Sequence, residues 1–355
     1  HNSCSVTHIS DRKSRQKISQ AKREGALVAV MGCYVDLHGE ITADLLIPNE
    51  SKDNALELIK ELLGTSERPQ KRFSHDKTRG FLKVQDGCDQ FCSYCIIPYA
   101  RGRARSYPLD RIKEELISYI QDGYKEIVLT GINLSYYGKD TGSTLGELIK
   151  EIKPLLGDRR LRLGSLEPHV ITEEFIKICL DLPGFCPQFH LSLQSGSDGV
   201  LKRMNRHYSA DDFKKRAELL RRYYPLAALT TDIIVGFPEE SEVEFNETME
   251  FVEDVGFSHI HVFSYSSRQG TVAARKIDHH PEVKKRRSEK LRELAQENKE
   301  KFLNSFVGRE VEVLFEQDSQ GLSREYIHCY SKTPKENNSI EKLKVIRREG
   351  EKLIV

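Results

Sequence analysis

A regular alternation of short β-rich runs with amphipathic helical runs extends from residue 81 to residue 266. The apolar spacing switches between the period of a strand and the period of a helix at each step. The predicted strands are FLKVQ (81–85), EIVLTG (126–131), LRLGSL (161–166), QFHLSLQSG (188–196), ALTTDIIVGF (228–237) and HIHVFSYS (259–266). Because helices separate these strands, the pattern favours parallel β/α units, most simply a partial or full α/β barrel.

The flanking regions have different patterns. Residues 1–70 contain a strand-like run, ALVAVMGCYV, and a helical run, NALELIKELLG, which together predict a further small α/β unit. Residues 281–306 predict a highly charged helix, whose block from Lys284 to Arg287 we expect to face solvent, with a contact to RNA as the alternative. The C-terminal residues 306–355 read as short alternating strands, which are typical of a small β-barrel.

The composition is typical of a soluble globular protein rather than of a membrane-spanning or secreted one. The chain is 38% hydrophobic and 31% charged, it has no apolar run of membrane-spanning length, and its start does not resemble a signal peptide. Its eight cysteines are unevenly spaced, so we expect reduced thiols and a cytoplasmic location. A net charge of +1 argues neither for nor against a nucleic-acid partner.

Polar segments follow the predicted strands. In parallel β/α folds, binding groups gather at the carboxyl ends of the strands, so these segments predict one shared pocket. The segments are TGIN (130–133), SLEP (165–168), LQSGSD (193–198), GFP (236–238) and SYSSRQGT (264–271).

After the first strand of the series comes DGCDQFCSYCIIPYARGRARS (86–106), which holds three of the eight cysteines. Cys88, Cys92 and Cys95 have the spacing C-x3-C-x2-C just past a strand end, and closely spaced loop sulfurs can converge on one metal centre. Structural zinc needs four ligands, so distant His75 or His207 would have to complete the site. A thiol redox motif needs only two cysteines. An iron–sulfur cluster with three protein ligands leaves one iron open for a substrate or cofactor, and the spacing favours that interpretation.

The same loop resembles the cluster loop of the radical S-adenosylmethionine (SAM) methylthiotransferases, which modify tRNA or a ribosomal protein. The resemblance covers essentially the whole chain, with similar motifs in the same order. These motifs are NSCSVTHISDRKSRQKI, MGCYVD, EIVLTGINLSYYG, GSLEP, HLSLQSGSDGVLKRMNRHY, TDIIVGFPEE and YSSRQGTVAA.

The resemblance implies a partial parallel (β/α)6 radical-SAM barrel in an α/β fold, with additional domains at both ends. Residues 1–70 would form an N-terminal α/β methylthiotransferase domain, incomplete at its start, and residues 71–280 the barrel. Residues 281–305 would form a charged linker helix, and residues 306–355 a TRAM domain, a small β-barrel that contacts RNA.

The resemblance also implies cofactors and site residues. Cys88, Cys92 and Cys95 would hold a [4Fe–4S] cluster whose open iron chelates the amino and carboxylate groups of SAM, and reductive cleavage would give a 5′-deoxyadenosyl radical. Tyr94 would contact the adenine, and Arg101 and Arg103 would face substrate phosphate. The remaining residues implied for the SAM pocket are Asn133, Ser165, Glu167, Gln194 and Ser195.

A second, auxiliary [4Fe–4S] cluster would deliver the sulfur. Cys4 and Cys33 match two of its three cysteine ligands, whereas the third belongs to a segment upstream of NSCS, so we expect this sequence to be truncated at its N terminus. The remaining cysteines, Cys179, Cys186 and Cys329, match no ligand position and are expected to be structural.

Within the family, the cysteine loop is most similar to the branch that acts on N6-threonylcarbamoyladenosine beside the anticodon and forms the 2-methylthio derivative. Alternative substrates are isopentenyladenosine in tRNA and an aspartate of a ribosomal protein. An alternative of another class is a zinc-stapled RNA-binding protein without catalysis. The resemblance implies the tRNA anticodon stem-loop and a reductant such as flavodoxin or ferredoxin as partners of a monomeric protein.

Overall fold

The structure, a computed structural model, describes residues 1–3, 8–38, 41–65 and 78–355. Cys4 and His75, both considered as metal ligands above, lie outside these residues. The chain divides into two compact units, and each combines separate segments of sequence. The first unit comprises His1–Arg72, Gly87–Arg103 and Ser266–Ile277, and the second comprises Phe73–Asp86, Ala104–Tyr265 and Asp278–Val355.

The first unit is built on a parallel sheet with the order β1-β2-β3. Its strands are β1 (Asn2–Ser3), β2 (Ala29–Gly32) and β3 (Leu45–Ile47), and its helices are α1 (His8–Arg23), α2 (Cys33–Leu37), α3 (Ala55–Leu63) and α4 (Ile97–Arg101). A small apolar cluster of Ile18, Val28, Val30 and Val35 forms its core. The predicted small α/β unit is therefore present, but the strand-like run 26–35 is a strand only over β2, because its last residues, from Cys33, begin α2.

Two polar contacts attach the segment Ser266–Ile277 within the first unit. A guanidinium nitrogen of Arg268 lies 2.6 Å from a carboxylate oxygen of Asp11 on α1, and both side chains are buried. The backbone N–H of Ala273 donates to the carbonyl of Ser93, in the cysteine loop, over 2.8 Å. A segment that follows the last predicted strand thus packs against the cysteine loop and against α1.

The second unit contains a series of parallel strands in sequence order. They are β4 (Arg79–Lys83), β7 (Glu126–Thr130), β8 (Arg160–Leu163), β9 (Ser165–Leu166), β10 (Gln188–Leu191), β11 (Ala228–Val235) and β12 (His259–Ser264). They pair as β4-β7-β8 and β9-β10-β11-β12, and only Gly164 separates β8 from β9. Between β4 and β7 in sequence, β5 (Gln85–Asp86) and β6 (Arg105–Ser106) form a short antiparallel pair. The predicted class, parallel strands in an α/β fold, is confirmed.

Helices connect the parallel strands, and several begin with a matched pair of capping side chains. They are α5 (Leu109–Gln121), α6 (Leu145–Leu156), α7 (Glu173–Leu180), α8 (Asp198–Arg203), α9 (Ala210–Tyr223) and α10 (Glu242–Val255). Thr144 with Glu147, Ser209 with Asp212, and Ser241 with Glu244 form capping boxes, which satisfy the first backbone N–H groups of α6, α9 and α10. The helical stretch predicted to Tyr224 is two helices, because Asn205 adopts a left-handed φ of 59° after α8.

A long helix, α11 (Pro281–Asn304), precedes a sheet with the order β16-β13-β14-β15-β18-β17. The strands are β13 (Glu310–Gln317), β14 (Gln320–Ser323), β15 (His328–Tyr330), β16 (Ile340–Lys344), β17 (Arg347–Glu349) and β18 (Lys352–Ile354). Neighbouring strands are antiparallel except β15 and β18, and Phe306, Val313, Phe315 and Leu353 contribute to a separate core. No helix in the described ranges is both long enough and apolar enough to span a membrane.

The solvent-facing prediction for the basic block of α11 is wrong at Arg287. This side chain is buried, and its guanidinium lies 2.7 Å from the carboxylate of Glu240, which is buried as well. A charged run in sequence does not reveal that one of its members meets a distant buried acid. Lys285 is exposed as expected.

A buried ion-pair cluster joins the parallel strands to the C-terminal sheet. Nε of Arg162 lies 2.7 Å from Glu126, whose side chain is fully buried. Nε of Arg160 lies 3.0 Å from Glu312 on β13, and one of its terminal nitrogens donates to the carbonyl of Leu322 over 3.0 Å. Arg160 on the parallel strands therefore binds residues of the C-terminal sheet, and the cluster attaches that sheet to the parallel strands.

Replacing Glu126 with glutamine is expected to lower the free energy of unfolding by about 3–5 kcal/mol, because the buried guanidinium of Arg162 loses its counter-charge. Burial by itself would raise the pKa of Glu126, but Arg162 and Arg160 outweigh burial and hold the pKa below its ordinary value of 4.5. A carboxyl with a lowered pKa in the folded state stabilises the fold above pH 4.5 and loses that contribution as the pH falls further. Urea unfolding at neutral pH and in acid measures both effects.

The matched control is Glu151→Gln, which removes an exposed pair with Lys113 at 2.7 Å. Such a pair contributes at most about 1 kcal/mol, because both side chains remain solvated. If Glu126→Gln lowered the free energy of unfolding as little as Glu151→Gln does, the role given to the cluster would be contradicted. The same holds if the difference in stability between Glu126→Gln and the wild type grew in acid.

Candidate functional site

The cysteine loop of the first unit begins with a glycine that no other residue can replace without movement. Gly87 has a φ of 70°, and a Cβ placed there would lie 1.9 Å from the carbonyl oxygen of Arg103. At the next residue, the backbone N–H of Cys88 donates to the carbonyl of Gly102 over 3.2 Å. The two ends of the loop are thus held together by backbone contacts that do not involve the sulfur atoms.

Within the loop, backbone groups shape the surroundings of the three thiols. The N–H of Gln90 donates to Sγ of Cys88 over 3.4 Å, and the N–H of Cys95 donates to the carbonyl of Cys92 over 2.9 Å. Phe91 has a left-handed φ of 46°, which is uncommon for a residue with a side chain and typical of functional turns. Cys92 is buried, whereas Cys88 and Cys95 are half-buried.

The donor set fits an iron–sulfur cluster, because three thiols in one loop can hold such a cluster and leave one iron open. The sulfur ligands of a cluster accept hydrogen bonds, and Sγ of Cys88 accepts one from the backbone N–H of Gln90.

Cys33 is the first residue of α2, in the same unit as the cysteine loop. Its side chain is buried, and the Nδ2 group of Asn49 lies 3.8 Å from its sulfur and 3.2 Å from the carbonyl oxygen of Ala100 on α4. Gly32, the residue before Cys33, pairs with Ser3 across the first sheet. Helix α2 also packs against α4, so the structure brings Cys33 to the helix that follows Cys95 in sequence.

The predicted substrate residues Arg101 and Arg103 have different environments. Arg101 is the last residue of α4 and is half-buried, whereas the Arg103 side chain is 76% exposed. The Arg103 guanidinium lies 4.9 Å from the ring centroid of Phe91, and that ring meets the exposed ring of Tyr99 edge to face at 6.0 Å. We call Phe91, Tyr99 and Arg103 the aromatic platform. Tyr94, predicted to contact adenine, is half-buried in the same loop.

In the second unit, Asn133 and Glu167 are connected through Ser135. The Asn133 side chain accepts from the N–H of Ser135 over 3.2 Å, and the Ser135 hydroxyl oxygen accepts from the N–H of Glu167 over 2.7 Å. The N–H of Asn133 donates to the Gln85 side chain over 2.9 Å. The segments after β7 and β9 are therefore joined by side-chain hydrogen bonds.

The carboxylate of Glu167 is buried and pairs with Arg206, which the sequence analysis missed. Burial raises the pKa of Glu167 above its ordinary value, and the guanidinium of Arg206 opposes that shift. Arg206 also donates to the carbonyl of Ser192 over 3.1 Å, so it joins the segments after β9 and β10. A buried carboxylate at a strand end requires a cationic partner. A search of the sequence for a partner of Glu167 could therefore have pointed to Arg206.

Ser165, Gln194 and Ser195 differ in what their side chains offer to a ligand. Ser165 is exposed, and Gln194 is half-buried with a left-handed φ of 73°. The Ser195 hydroxyl is fully buried, 3.2 Å from the hydroxyl of Thr248. In this structure Ser195 therefore holds its loop to α10, whereas Ser165 and Gln194 remain accessible.

The cysteines expected to be structural are buried in the second unit. Burial raises the pKa of Cys179, Cys186 and Cys329, in the latter two to about 12. A thiol with a raised pKa is a poor thiolate donor, which agrees with a structural role.

Comparison with known proteins identifies relatives that match most of the chain. The sequence model of the radical SAM superfamily matches residues 82–252. The chain is 40% identical over 334 residues to the threonylcarbamoyladenosine tRNA methylthiotransferase MtaB of Thermotoga maritima, covering 89% of this chain and 77% of the relative. It is also 40% identical over 244 residues to the tRNA-2-methylthio-N(6)-dimethylallyladenosine synthase of Acetivibrio thermocellus. That match covers 68% of this chain and 51% of the relative.

Among solved structures, the radical SAM methyltransferase TsrM of Kitasatospora setae, with cobalamin and a [4Fe–4S] cluster bound, has the same fold. The TM-score is 0.60 at 14% sequence identity, with 77% of this chain and 64% of that chain covered. At this identity the likeness shows the fold alone, and it agrees with the parallel α/β series described above.

Proposed function

Because this chain belongs to the radical SAM tRNA methylthiotransferases, we propose that it converts N6-threonylcarbamoyladenosine, next to the anticodon of tRNA, to its 2-methylthio derivative. The observation that carries the choice of substrate is the extent of similarity. At the same 40% identity, the threonylcarbamoyladenosine relative aligns over 334 residues and the dimethylallyladenosine relative over 244. Family membership argues against the zinc-stapled, non-catalytic alternative.

The first cofactor we propose is a [4Fe–4S] cluster on Cys88, Cys92 and Cys95. When bound with SAM and reduced, it supplies a 5′-deoxyadenosyl radical. The chain's own contribution is to hold the three sulfurs with backbone contacts and to bind SAM. We assign adenine contact to Tyr94 and contacts along SAM to five polar side chains that follow the parallel strands. These are Asn133, Ser165, Glu167, Gln194 and Ser195, of which Ser195 would act by positioning its loop.

The second cofactor we propose is an auxiliary [4Fe–4S] cluster that includes Cys33 and Cys4 among its ligands. Ser3 and Gly32 pair across the sheet, and each directly precedes one of these cysteines in sequence. Asn49 contacts both the Cys33 sulfur and α4, so Cys33 and the cysteine loop belong to one compact unit. A sulfur-delivering cluster that shares a unit with the SAM cluster fits a reaction in which the radical and the sulfur act on one base.

We also propose finer features of the architecture. The parallel series would form a partial (β/α)6 barrel over residues 71–280, after the methylthiotransferase domain at 1–70. Helix α11 would link it to a TRAM domain at 306–355, which would contact RNA. The reaction would take place in the cytoplasm, on a monomer that receives electrons from flavodoxin or ferredoxin.

Substitutions in the aromatic platform are expected to weaken tRNA binding. Stacking of an unpaired base on an aromatic ring contributes about 1–3 kcal/mol, so Tyr99→Ala should weaken affinity by about 5- to 150-fold. Arg103→Ala should also weaken binding, and it should reduce the salt dependence, because Arg103 would contact a phosphate. Filter binding of the anticodon stem-loop at several salt concentrations measures both effects.

Lys285→Ala is the matched control, because Lys285 is an exposed cation on α11, outside the first unit. It should change affinity less than Arg103→Ala. Equal effects of the two substitutions would mean that general charge, rather than the platform, holds the RNA.

The proposed function is tested with protein reconstituted anaerobically, SAM, a reductant and tRNA that carries threonylcarbamoyladenosine without the methylthio group. We expect 2-methylthio-N6-threonylcarbamoyladenosine to appear only when SAM and the reductant are both present. A methylthio group on another nucleoside in its place would contradict the proposed acceptor, whereas 5′-deoxyadenosine without any modified nucleoside would mean that sulfur delivery fails.

A further inference from the structure

Three side chains of the kind that bind metals converge on neighbouring strands of the second unit. His190 on β10, Asp232 on β11 and His261 on β12 each offer one ligand atom, and these atoms lie within 4.8 Å of one another. Asp232 lies opposite His261, and His190 lies opposite Thr230, two residues from Asp232 on the same face of β11. We propose that His190, Asp232 and His261 bind one divalent transition-metal ion.

The ligand set determines the kind of ion. Two imidazoles and one carboxylate are the ligands of catalytic zinc sites and of the facial triads that hold iron(II), and both kinds of site keep positions open. Ca²⁺ and Mg²⁺ prefer oxygen ligands, so two imidazoles disfavour them. Zn²⁺ is therefore the appropriate probe for this site.

Hydrogen bonds orient His190 for such a role. Its Nδ1 atom lies 3.0 Å from the hydroxyl oxygen of Thr230, and that oxygen also accepts from the Gln188 side chain over 3.3 Å. The other ring nitrogen, Nε2, lies 3.3 Å from the carboxylate of Asp232. A metal-binding histidine commonly has its second ring nitrogen fixed in this way.

Local charge favours a cation at Asp232. In the described part of the chain, the basic side chain that contacts Asp232 is His190, and no lysine or arginine forms an ion pair with Asp232. His190 and His261 line a cavity of about 430 Å³, so an ion bound between them is reached from the cavity. The lysine and arginine side chains in the cavity wall each have a carboxylate within 3.0 Å. These pairs are Arg79–Glu316, Arg162–Glu126 and Lys299–Glu351. The carboxylate of Asp232 therefore remains available for an ion.

The test uses the full chain with its iron–sulfur clusters reconstituted, equilibrated with Zn²⁺ and then dialysed without metal. Zinc and iron are counted by plasma mass spectrometry. We expect one zinc ion per chain in the wild type and at least a tenfold reduction in His190→Ala and in His261→Ala, with iron unchanged. Asp232→Asn, which keeps the shape and removes the charge, should weaken zinc affinity at least tenfold.

His259→Ala is the control, because the His259 ring lies 4.6 Å from that of His261 but is outside the ligand set. It should retain the zinc of the wild type. X-ray absorption at the zinc edge should show nitrogen and oxygen ligands. Zinc retained equally by wild type, His190→Ala and Asp232→Asn, absence of zinc from the wild type, or sulfur ligands on the zinc would each overturn the proposal. Because the readout is metal content, its failure leaves the proposed methylthiotransferase function standing.

Discussion

Replacing Cys92 with alanine is expected to abolish formation of 5′-deoxyadenosine from SAM while the protein remains folded. The substitution removes one of the three proposed cluster ligands. Only two cysteines would then hold the cluster, and the arrangement with a single open iron would be lost. The loop should keep its shape, because the bonds from Cys88 to Gly102 and from Cys95 to the Cys92 carbonyl use backbone atoms. Chromatography with mass spectrometry measures 5′-deoxyadenosine, and circular dichroism measures the fold.

Cys179→Ala is the matched control for Cys92→Ala. Cys179 is a buried cysteine on α7, and its removal should cost about 1 kcal/mol of stability or somewhat more without changing SAM cleavage. Iron content should fall in Cys92→Ala and remain constant in Cys179→Ala. Undiminished cleavage in Cys92→Ala would show that the cluster assignment is wrong.

Replacing Cys33 with alanine is expected to separate the two halves of the reaction. The SAM cluster keeps its three cysteines, so 5′-deoxyadenosine should still form. The methylthio nucleoside should fall to background, because the proposed sulfur-delivering cluster loses a ligand. Both products are measured in the same anaerobic reaction, and total iron should drop relative to the wild type.

Cys329→Ala provides the control for Cys33→Ala, because it removes another buried thiol, from β15 of the C-terminal sheet. It should retain both products. Methylthio transfer at the wild-type yield in Cys33→Ala would contradict the role of Cys33, and loss of 5′-deoxyadenosine would mean that Cys33 supports the SAM cluster instead.

The parallel series could be predicted because hydrophobic periodicity depends on residues close in sequence. The ends of the strands and helices could not be predicted, because the backbone conformation of one residue can decide where an element stops. The predicted strand 188–196 ends as β10 at Leu191, ahead of a loop in which Gln194 has a φ of 73°. Asn205, with a φ of 59°, likewise follows the end of α8. Apolar spacing contains no information about a left-handed residue, particularly when that residue is not glycine.

Spacing predicted a metal centre at Cys88, Cys92 and Cys95, and the family resemblance implied roles for Cys33 and Glu167, but the polar contacts around such residues could not be predicted. Asn49 reaches the carbonyl of Ala100 across 51 positions of sequence, and Arg206 reaches Glu167 across 39. These polar partners have no periodic pattern, because each serves one buried group. The contact between the hydroxyls of Ser195 and Thr248 could not be predicted from the sequence for the same reason.

The most direct test is a competition between two tRNAs in one anaerobic reaction with reconstituted protein, SAM and reductant. One tRNA carries threonylcarbamoyladenosine and the other carries isopentenyladenosine, both without the methylthio group. Nucleoside mass spectrometry should find the 2-methylthio group on threonylcarbamoyladenosine, together with 5′-deoxyadenosine. A methylthio group on isopentenyladenosine alone would contradict the substrate, and a protein that binds tRNA but forms neither product would contradict the proposed reaction.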